Sequence, residues 1–341
     1  MTASPPVSKS GAATDAAASN GRTPGRSLLR SLVRTRELSI LLVTIAAAIY
    51  FSVTSSAFNS TDNYHTIVQF FASWAIVAAG EVMLLICGEI DLSAGFVFTL
   101  SPFILMIFYN NGFPLILAII GALVFSAAVG VVNGFVHTRF RLPSFITTLG
   151  MAFLLEGVSL IVSNGSPVTP PRTGAVVAIF GGWRWSELLW TLLVVVAMQV
   201  VLSSTRFGIY TQAAGGNPIG AAESGIRVNR IKIVNFAVTS ALAGLGGIID
   251  GLRVGSFDPT NGGFTTMFFA VAAAVIGGTA LLGGSGTVVG ALLGALLLGI
   301  VYDGFNLMGV SANAFDVVLG AAILIAMLLN VYLGRWRKQA N

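Results

Sequence analysis

Apolar residues fill most of this chain in blocks, broken by short polar or glycine-rich joints. About twenty apolar residues make a helix long enough to cross a bilayer. The blocks predict ten such spans: 38–57, 66–87, 94–109, 114–136, 144–163, 187–204, 233–251, 266–282, 287–306 and 313–333. Ahead of them, residues 1–37 are rich in Ala, Ser, Gly, Thr and Pro without periodicity, which predicts a disordered basic tail. A second short basic tail covers 334–341. The expected class is all-α and polytopic, with a transmembrane domain over 38–333. The first apolar run, starting near Leu38, is too long for a signal peptide.

Composition agrees. Hydrophobic residues make up 55% of the 341 residues and charged residues 9%, against about 25% charged in soluble domains. The net charge of +5 reports topology here rather than affinity for nucleic acid. Lys9, Arg22, Arg26, Arg30, Arg34 and Arg36 precede the first span. Arg139 and Arg141 form a second cluster, Arg206, Arg227, Arg230 and Lys232 a third, and Arg335, Arg337 and Lys338 close the chain. With the N-terminus cytoplasmic, ten spans put all four clusters and the C-terminus inside, as the positive-inside rule asks. Only Arg172, Arg184 and Arg253 fall outside. The longest outside loop, 164–186, carries Pro, Gly, Trp183 and Trp185, and reads as a membrane-surface anchor or as a docking surface for an external partner. The single cysteine, Cys87, allows no intrachain disulfide.

Carboxylates within apolar spans are costly and point to function by default. Glu81, Glu89, Asp91, Glu156 and Asp250 stand out. The densest group is ICGEIDLSAG, from Ile86 to Gly95. Gly88 and Gly95 permit a break in the helix, and Asp91 or Ser93 can cap the helix that follows. Two readings fit: an ordinary turn between spans, or a broken helix whose polar groups line or support a substrate path. Glu89, Asp91 and Ser93 are the candidate path residues, with Glu156, which falls mid-span and is expected at a helix interface or cavity. Asp250 sits beside Arg253, which predicts an ion pair or surface exposure. A second irregular run, Val275 to Gly299, is dense in glycine and predicts tight turns and close packing.

The polar insert 205–232 separates two apolar spans. Within it Asn217 can cap a short helix, Pro218 takes its first position, and Gly225 can end it. A helix built so deliberately on the positive face predicts presentation to a partner. Catalytic signals are absent: the two histidines, His65 and His137, each fall near a predicted membrane boundary and do not suggest a zinc site, and neither an HExxH nor a GxxxxGK[ST] motif occurs.

Four runs together resemble the permease subunit of bacterial ABC importers for monosaccharides, of the ribose/xylose/galactoside type. They are CGEIDLSAG at 87–95, FITTLGMAFLLEGVSLIVSNG at 145–165, TRFGIYTQAAGGNPIGAAESGIRVNRIK at 205–232, and the Gly-rich run at 275–310. The resemblance implies a type II importer-like subunit of the inner membrane, with about ten helices and both termini cytoplasmic. It implies a second permease copy, two separate ATPase subunits that carry ATP and Mg, and a periplasmic substrate-binding protein. No cofactor is expected on this chain. Asn217, Pro218, Ala221, Ala222, Glu223, Ser224 and Gly225 would couple it to the ATPase. Glu89 stands where such permeases usually have glycine and Glu156 where arginine is common, so the substrate is open. Relatives also carry furanoses, nucleosides or branched-chain amino acids. A proton-coupled secondary transporter using Glu81, Glu89 or Asp91 is the rival class.

Overall fold

The structure, a computed structural model, describes residues 36–311 and isolated positions from there to 324. Most of the two predicted tails and of the tenth span at 313–333 lies outside the described residues. The helices are α1 (Arg36–Thr54), α2 (Thr61–Ile86), α3 (Ala94–Asn110), α4 (Leu115–Phe140), α5 (Ser144–Ser163), α6 (Ser186–Ser204), α7 (Arg206–Gly216), α8 (Pro218–Glu223), α9 (Val228–Val254), α10 (Gly263–Ile276) and α11 (Val288–Leu307). Each of the first nine predicted spans coincides with one of them.

Local sequence sets the helix starts. Ser60 accepts the Asn63 N–H at 3.2 Å ahead of α2, so one of the four orphan donors of the first turn is satisfied. Pro114 and Pro143, both extended, precede α4 and α5, because proline disfavours the helical conformation in the residue before it but not in those after. The predicted span 266–282 overshoots. Its helix stops at Ile276, and Gly278, Gly283 and Gly284 then take left-handed conformations with φ of 92°, 86° and 83°.

Among the described residues seven helices, α1, α2, α4, α5, α6, α9 and α11, are long and apolar enough to cross a membrane. The other two apolar helices are shorter: α3 has 17 residues and α10 has 14. At 1.5 Å per residue α10 is about 21 Å long, short of the ~30 Å hydrocarbon thickness. Each short helix adjoins a non-helical segment, 87–93 before α3 and 277–287 after α10. Helix α2 sits in the centre, 78% buried in its most apolar stretch, whereas α1 and α5 are 17% and 22% buried and offer apolar faces to their surroundings.

The two ends of the bundle differ in charge. At one end Thr287 donates to Glu37 at 2.9 Å, and Lys232 pairs with Glu89. The termini of α4, α7 and α9 bring Arg139, Arg206, Arg227 and Arg230 to this end. At the opposite end Arg253 bridges Glu187 and Asp250, each at 2.7 Å, and Asn63 donates to Asp303 at 2.7 Å. The expected Asp250–Arg253 pair is therefore formed. Glu187 and Asp303 are further buried carboxylates that lie at the edges of apolar blocks. Loop 164–186 is tied down by a bridge between Val168 and Phe257.

In lipid, helices associate through close packing more than through burial of apolar surface. Here α9 and α4 supply the small residues. A Cβ on Gly247 would lie 1.9 Å from the Phe98 carbonyl oxygen of α3, and one on Gly130 of α4 would lie 2.2 Å from the Phe236 carbonyl oxygen of α9. Gly247→Val is expected to destabilise the protein by about 3 kcal/mol through overpacking. Thermal unfolding in detergent checks this. An unchanged midpoint would mean that α3 can move away from α9 at no cost.

Candidate functional site

The break at 87–93 follows from its residues. Gly88 adopts φ of 77° and turns the chain out of α2. The Gly88 and Glu89 N–H groups still bond back to Leu85 and Leu84. The next donors have lost their helical acceptors, and α5 replaces them: Ser144 Oγ accepts from Ile90 at 3.4 Å and Thr148 Oγ1 accepts from Leu92 at 3.0 Å. Buried irregular backbone is tolerated only when its polar groups are satisfied in this way.

Asp91 is fully buried and organises the break. One carboxylate oxygen accepts from the Ser93 N–H at 2.9 Å, the Ser93 hydroxyl at 2.6 Å and Asn133 Nδ2 at 3.4 Å, and the other from Ser240 Oγ at 3.2 Å. Asn133 also donates to Ser93 Oγ at 2.8 Å. Of the two residues expected to cap α3, Asp91 or Ser93, Ser93 occupies the cap position, but its hydroxyl makes no capping bond and donates to Asp91 instead. Asp91 and Ser93 thus tie the break to α4 and α9 and do not face open space. Glu81 of α2 is 0% exposed, and its carboxylate oxygens make no hydrogen bond among the described residues.

Glu89 performs a separate task. Its carboxylate pairs with Lys232 of α9 and with His137 Nε2 of α4 at 3.1 Å. Burial alone would raise this carboxyl, but hydrogen bonds from His137, Lys232 and Ser144 outweigh it and hold it down to about 2. Glu156 is not brought to this group. It lies half-buried on α5, and its carboxylate has no partner among the described residues. His137, Asn133, Thr148, Ser240 and Lys232 are members that the sequence reading did not single out. The polar ones within apolar spans carried a signal, but nothing in the sequence paired them.

The second break, 277–287, packs against the first. Gly284 N–H donates to the Ile86 carbonyl at 2.8 Å and so closes the end of α2. The last turn of α7 enters the same junction. A Cβ on Gly215 would lie 1.7 Å from the Ile86 oxygen, so backbone meets backbone there. Thr211 of α7 accepts from Asn235 Nδ2 at 3.2 Å, and Asn235 also donates to Cys87 Sγ at 3.0 Å. Helix α7 therefore touches both breaks and leads directly into α8.

Helix α8 has the predicted boundaries. Asn217 Oδ1 accepts the Gly220 N–H at 3.0 Å, Pro218 is the first residue, and Gly225 takes φ of 85° just beyond the end. Ala221 is buried against the body, while Ala222, Glu223, Ser224 and Gly225 are exposed. Ile219, absent from the sequence reading, is 73% exposed at the tip. Beside it a cavity of about 470 Å³ is lined by Tyr210, Ser224, Gly225, Arg227 and Arg230. Among the described residues no group of three His, Cys, Asp or Glu is placed to hold a metal ion. The arrangement places a short, largely exposed helix at the end of α7, which itself touches both non-helical segments.

Residues 63–327 match the family described as branched-chain amino acid transport system / permease component. The chain belongs to this family. It is 38% identical over 315 residues to the xylose/arabinose import permease protein of Sulfolobus acidocaldarius, covering 89% of this chain and 87% of that protein. It is 36% identical over 307 residues to the ribose import permease protein of Escherichia coli, covering 88% and 94%. To the autoinducer 2 import system permease protein of Photorhabdus luminescens it is 29% identical over 309 residues, covering 89% and 92%. No solved structure matches it. Family membership makes it a multi-pass protein of the inner membrane, and the junction of α2, α7 and the second break belongs to a permease.

Lys232→Met in this permease leaves Glu89 buried without its cation and is expected to cost about 3 kcal/mol, more than the double variant Glu89→Gln/Lys232→Met. Detergent melting curves measure both, and equal losses would refute the pairing. Because the folded Glu89 lies below its usual 4.5, its stabilisation is present above that pH and is lost as pH falls from there through about 2. Glu89→Gln should flatten the acid limb of the wild-type curve.

Proposed function

We propose that this chain is the membrane-spanning permease subunit of an ATP-driven importer for a monosaccharide. Its relatives at 38% and 36% identity are import permeases for xylose/arabinose and for ribose. The observation that carries the mechanism is the contact of α7 with both broken spans, with α8 as its exposed tip. ATP and Mg are held by separate ATPase subunits that dock on Ile219, Ala222 and Glu223. Asn217, Pro218, Ala221, Ser224 and Gly225 fix the shape of the docking helix. When the ATPase pair moves, α8 and α7 displace the junction at Ile86 and Gly284. The Asp91 network passes that displacement to α4, α5 and α9. Asp91, Ser93 and Glu89 thus support the path.

The basic end is cytoplasmic by the positive-inside rule, and both termini lie there if 313–333 forms the tenth span of a type II importer-like fold. A substrate-binding protein docks at the opposite end, beside loop 164–186. The exposed, largely apolar face of α5 receives a second permease copy, which gives the unpartnered Glu156 a protein or cavity environment instead of lipid. The remaining apolar faces meet lipid.

Affinity purification of the tagged chain from mild detergent, followed by an ATPase assay, tests the assembly. A P-loop ATPase stimulated by sugar-loaded binding protein is expected to co-purify. Ala222→Arg should weaken its retention by roughly tenfold or more while leaving the melting midpoint of the permease unchanged. Undiminished retention would remove α8 from the docking surface. Reporter fusions after residues 60, 112, 175, 258 and 309 are expected on the outside, and an inside readout at any of them breaks the orientation.

A further inference from the structure

At the end remote from α8, a cavity of about 510 Å³ opens between α2, α9, α10 and α11. One wall is aromatic. Trp74 and Phe269 stack with centroids 4.0 Å apart and planes 10° apart, and Tyr302 stands edge-on to both at 6.0 and 6.2 Å. Such a wall offers apolar surface to the C–H faces of a ring at low entropic cost.

The rest of the lining is polar, and much of it is uncommitted. Gln69 donates through Nε2 to His65 Nδ1 at 3.0 Å, which leaves Oε1 without a protein partner among the described residues. The hydroxyls of Ser73 and Thr266, both buried, likewise have none. Asp258 uses one oxygen for the Thr260 N–H and hydroxyl, at 2.8 and 2.7 Å, and leaves the other open. Polar groups in a partly dehydrated cavity favour a ligand that can bond them and reject one that cannot.

Charge narrows the class. Arg253 is the cation in the lining, and it is spent on Glu187 and Asp250, while Asp250 also accepts from Asn261 at 2.7 Å. The phosphate of a sugar phosphate would meet Asp250 and Asp258 in a lining whose cation, Arg253, is already shared by two carboxylates. A neutral polyol meets acceptors and hydroxyls that match its own.

We propose that this cavity is a holding site for a neutral monosaccharide on its way into the bundle, with the ring against Trp74, Phe269 and Tyr302 and the hydroxyls on Gln69, Ser73, Thr266 and Asp258. The inference rests on the importer reading and adds to it a place for the sugar and a reason for rejecting anions. The site is expected to bind weakly, since a tight one would hold its cargo.

The test uses the complete transporter, with its ATPase and binding protein, in proteoliposomes, and tritiated xylose, ribose and leucine as probes. Thr266→Val and Asp258→Asn are each expected to lower pentose uptake about tenfold, one good hydrogen bond's worth, in complexes that assemble at wild-type yield. Thr266→Ser should restore uptake, which a packing role would not predict. Thr265→Trp, on the exposed rim of the cavity, should block passage by filling it. If Asp258→Asn and Thr265→Trp complexes assemble and take up pentose within about twofold of wild type, the cavity is off the path and the inference falls while the importer reading stands. If wild-type transporter carries leucine and neither pentose, the monosaccharide reading and the inference fall together.

Discussion

A buried peptide N–H or C=O left without a partner costs about 1–3 kcal/mol, and that constraint governs where this chain can leave the helix. It does so twice, at 87–93 and 277–287, and each time another element supplies the missing partners. Ser144 and Thr148 of α5 serve the first break, and the second break itself closes the end of α2 through Gly284 and Ile86. The breaks can exist only together with their neighbours. A displacement of one is therefore resisted by, and transmitted to, the others. Helix α7 reaches this junction without intervening side chains at Gly215, so a rigid-body movement of α8 has little slack in which to be lost.

Two polar networks frame the junction and differ in character. The Asp91 network is neutral-donor and fully buried, drawing on Ser93, Asn133 and Ser240 from three directions. It fixes the path of the chain as α3 begins. The Glu89 pair is ionic and lies nearer the basic end, holding the first break to α4 and α9. Removing one partner of a buried pair is costlier than never having had it. That accounts for a glutamate at a position where glycine would also turn the chain: here it is a fastening between helices.

The far end of the bundle is built on the opposite plan. Its buried carboxylates are held by partners of their own end, with Arg253 shared by Glu187 and Asp250, and the neighbouring cavity leaves the hydroxyls of Ser73 and Thr266 and the amide oxygen of Gln69 without partners among the described residues. The end that carries α8 is closed by backbone contact, and the far end holds the open cavity. That asymmetry fits the proposal of a subunit that takes a small polar cargo at one end and a mechanical input at the other.

Much of the local structure was legible in the sequence. Nine of the ten predicted blocks correspond to helices among the described residues, seven of them long enough to cross a membrane, and α5 matches its predicted limits of 144 and 163. The cap and stop of α8 were read from Asn217, Pro218 and Gly225, because capping is a property of a few adjacent residues. The break at Gly88 was legible for the same reason. The sequence could not show that Lys232 answers Glu89, that Asn133 and Ser240 meet at Asp91, or that Trp74 stacks on Phe269. Those pairs come from different spans, and only the packing of α2 with α4, α9 and α10 brings them within reach. It also hid Ile219 and the free hydroxyls of Ser73 and Thr266, since exposure and partners depend on neighbours. Element identity and capping are decided by local chemistry and were fixed by sequence alone. The partners of each buried polar group were decided by tertiary structure, because a hydrogen bond forms only where the donor and acceptor finally lie.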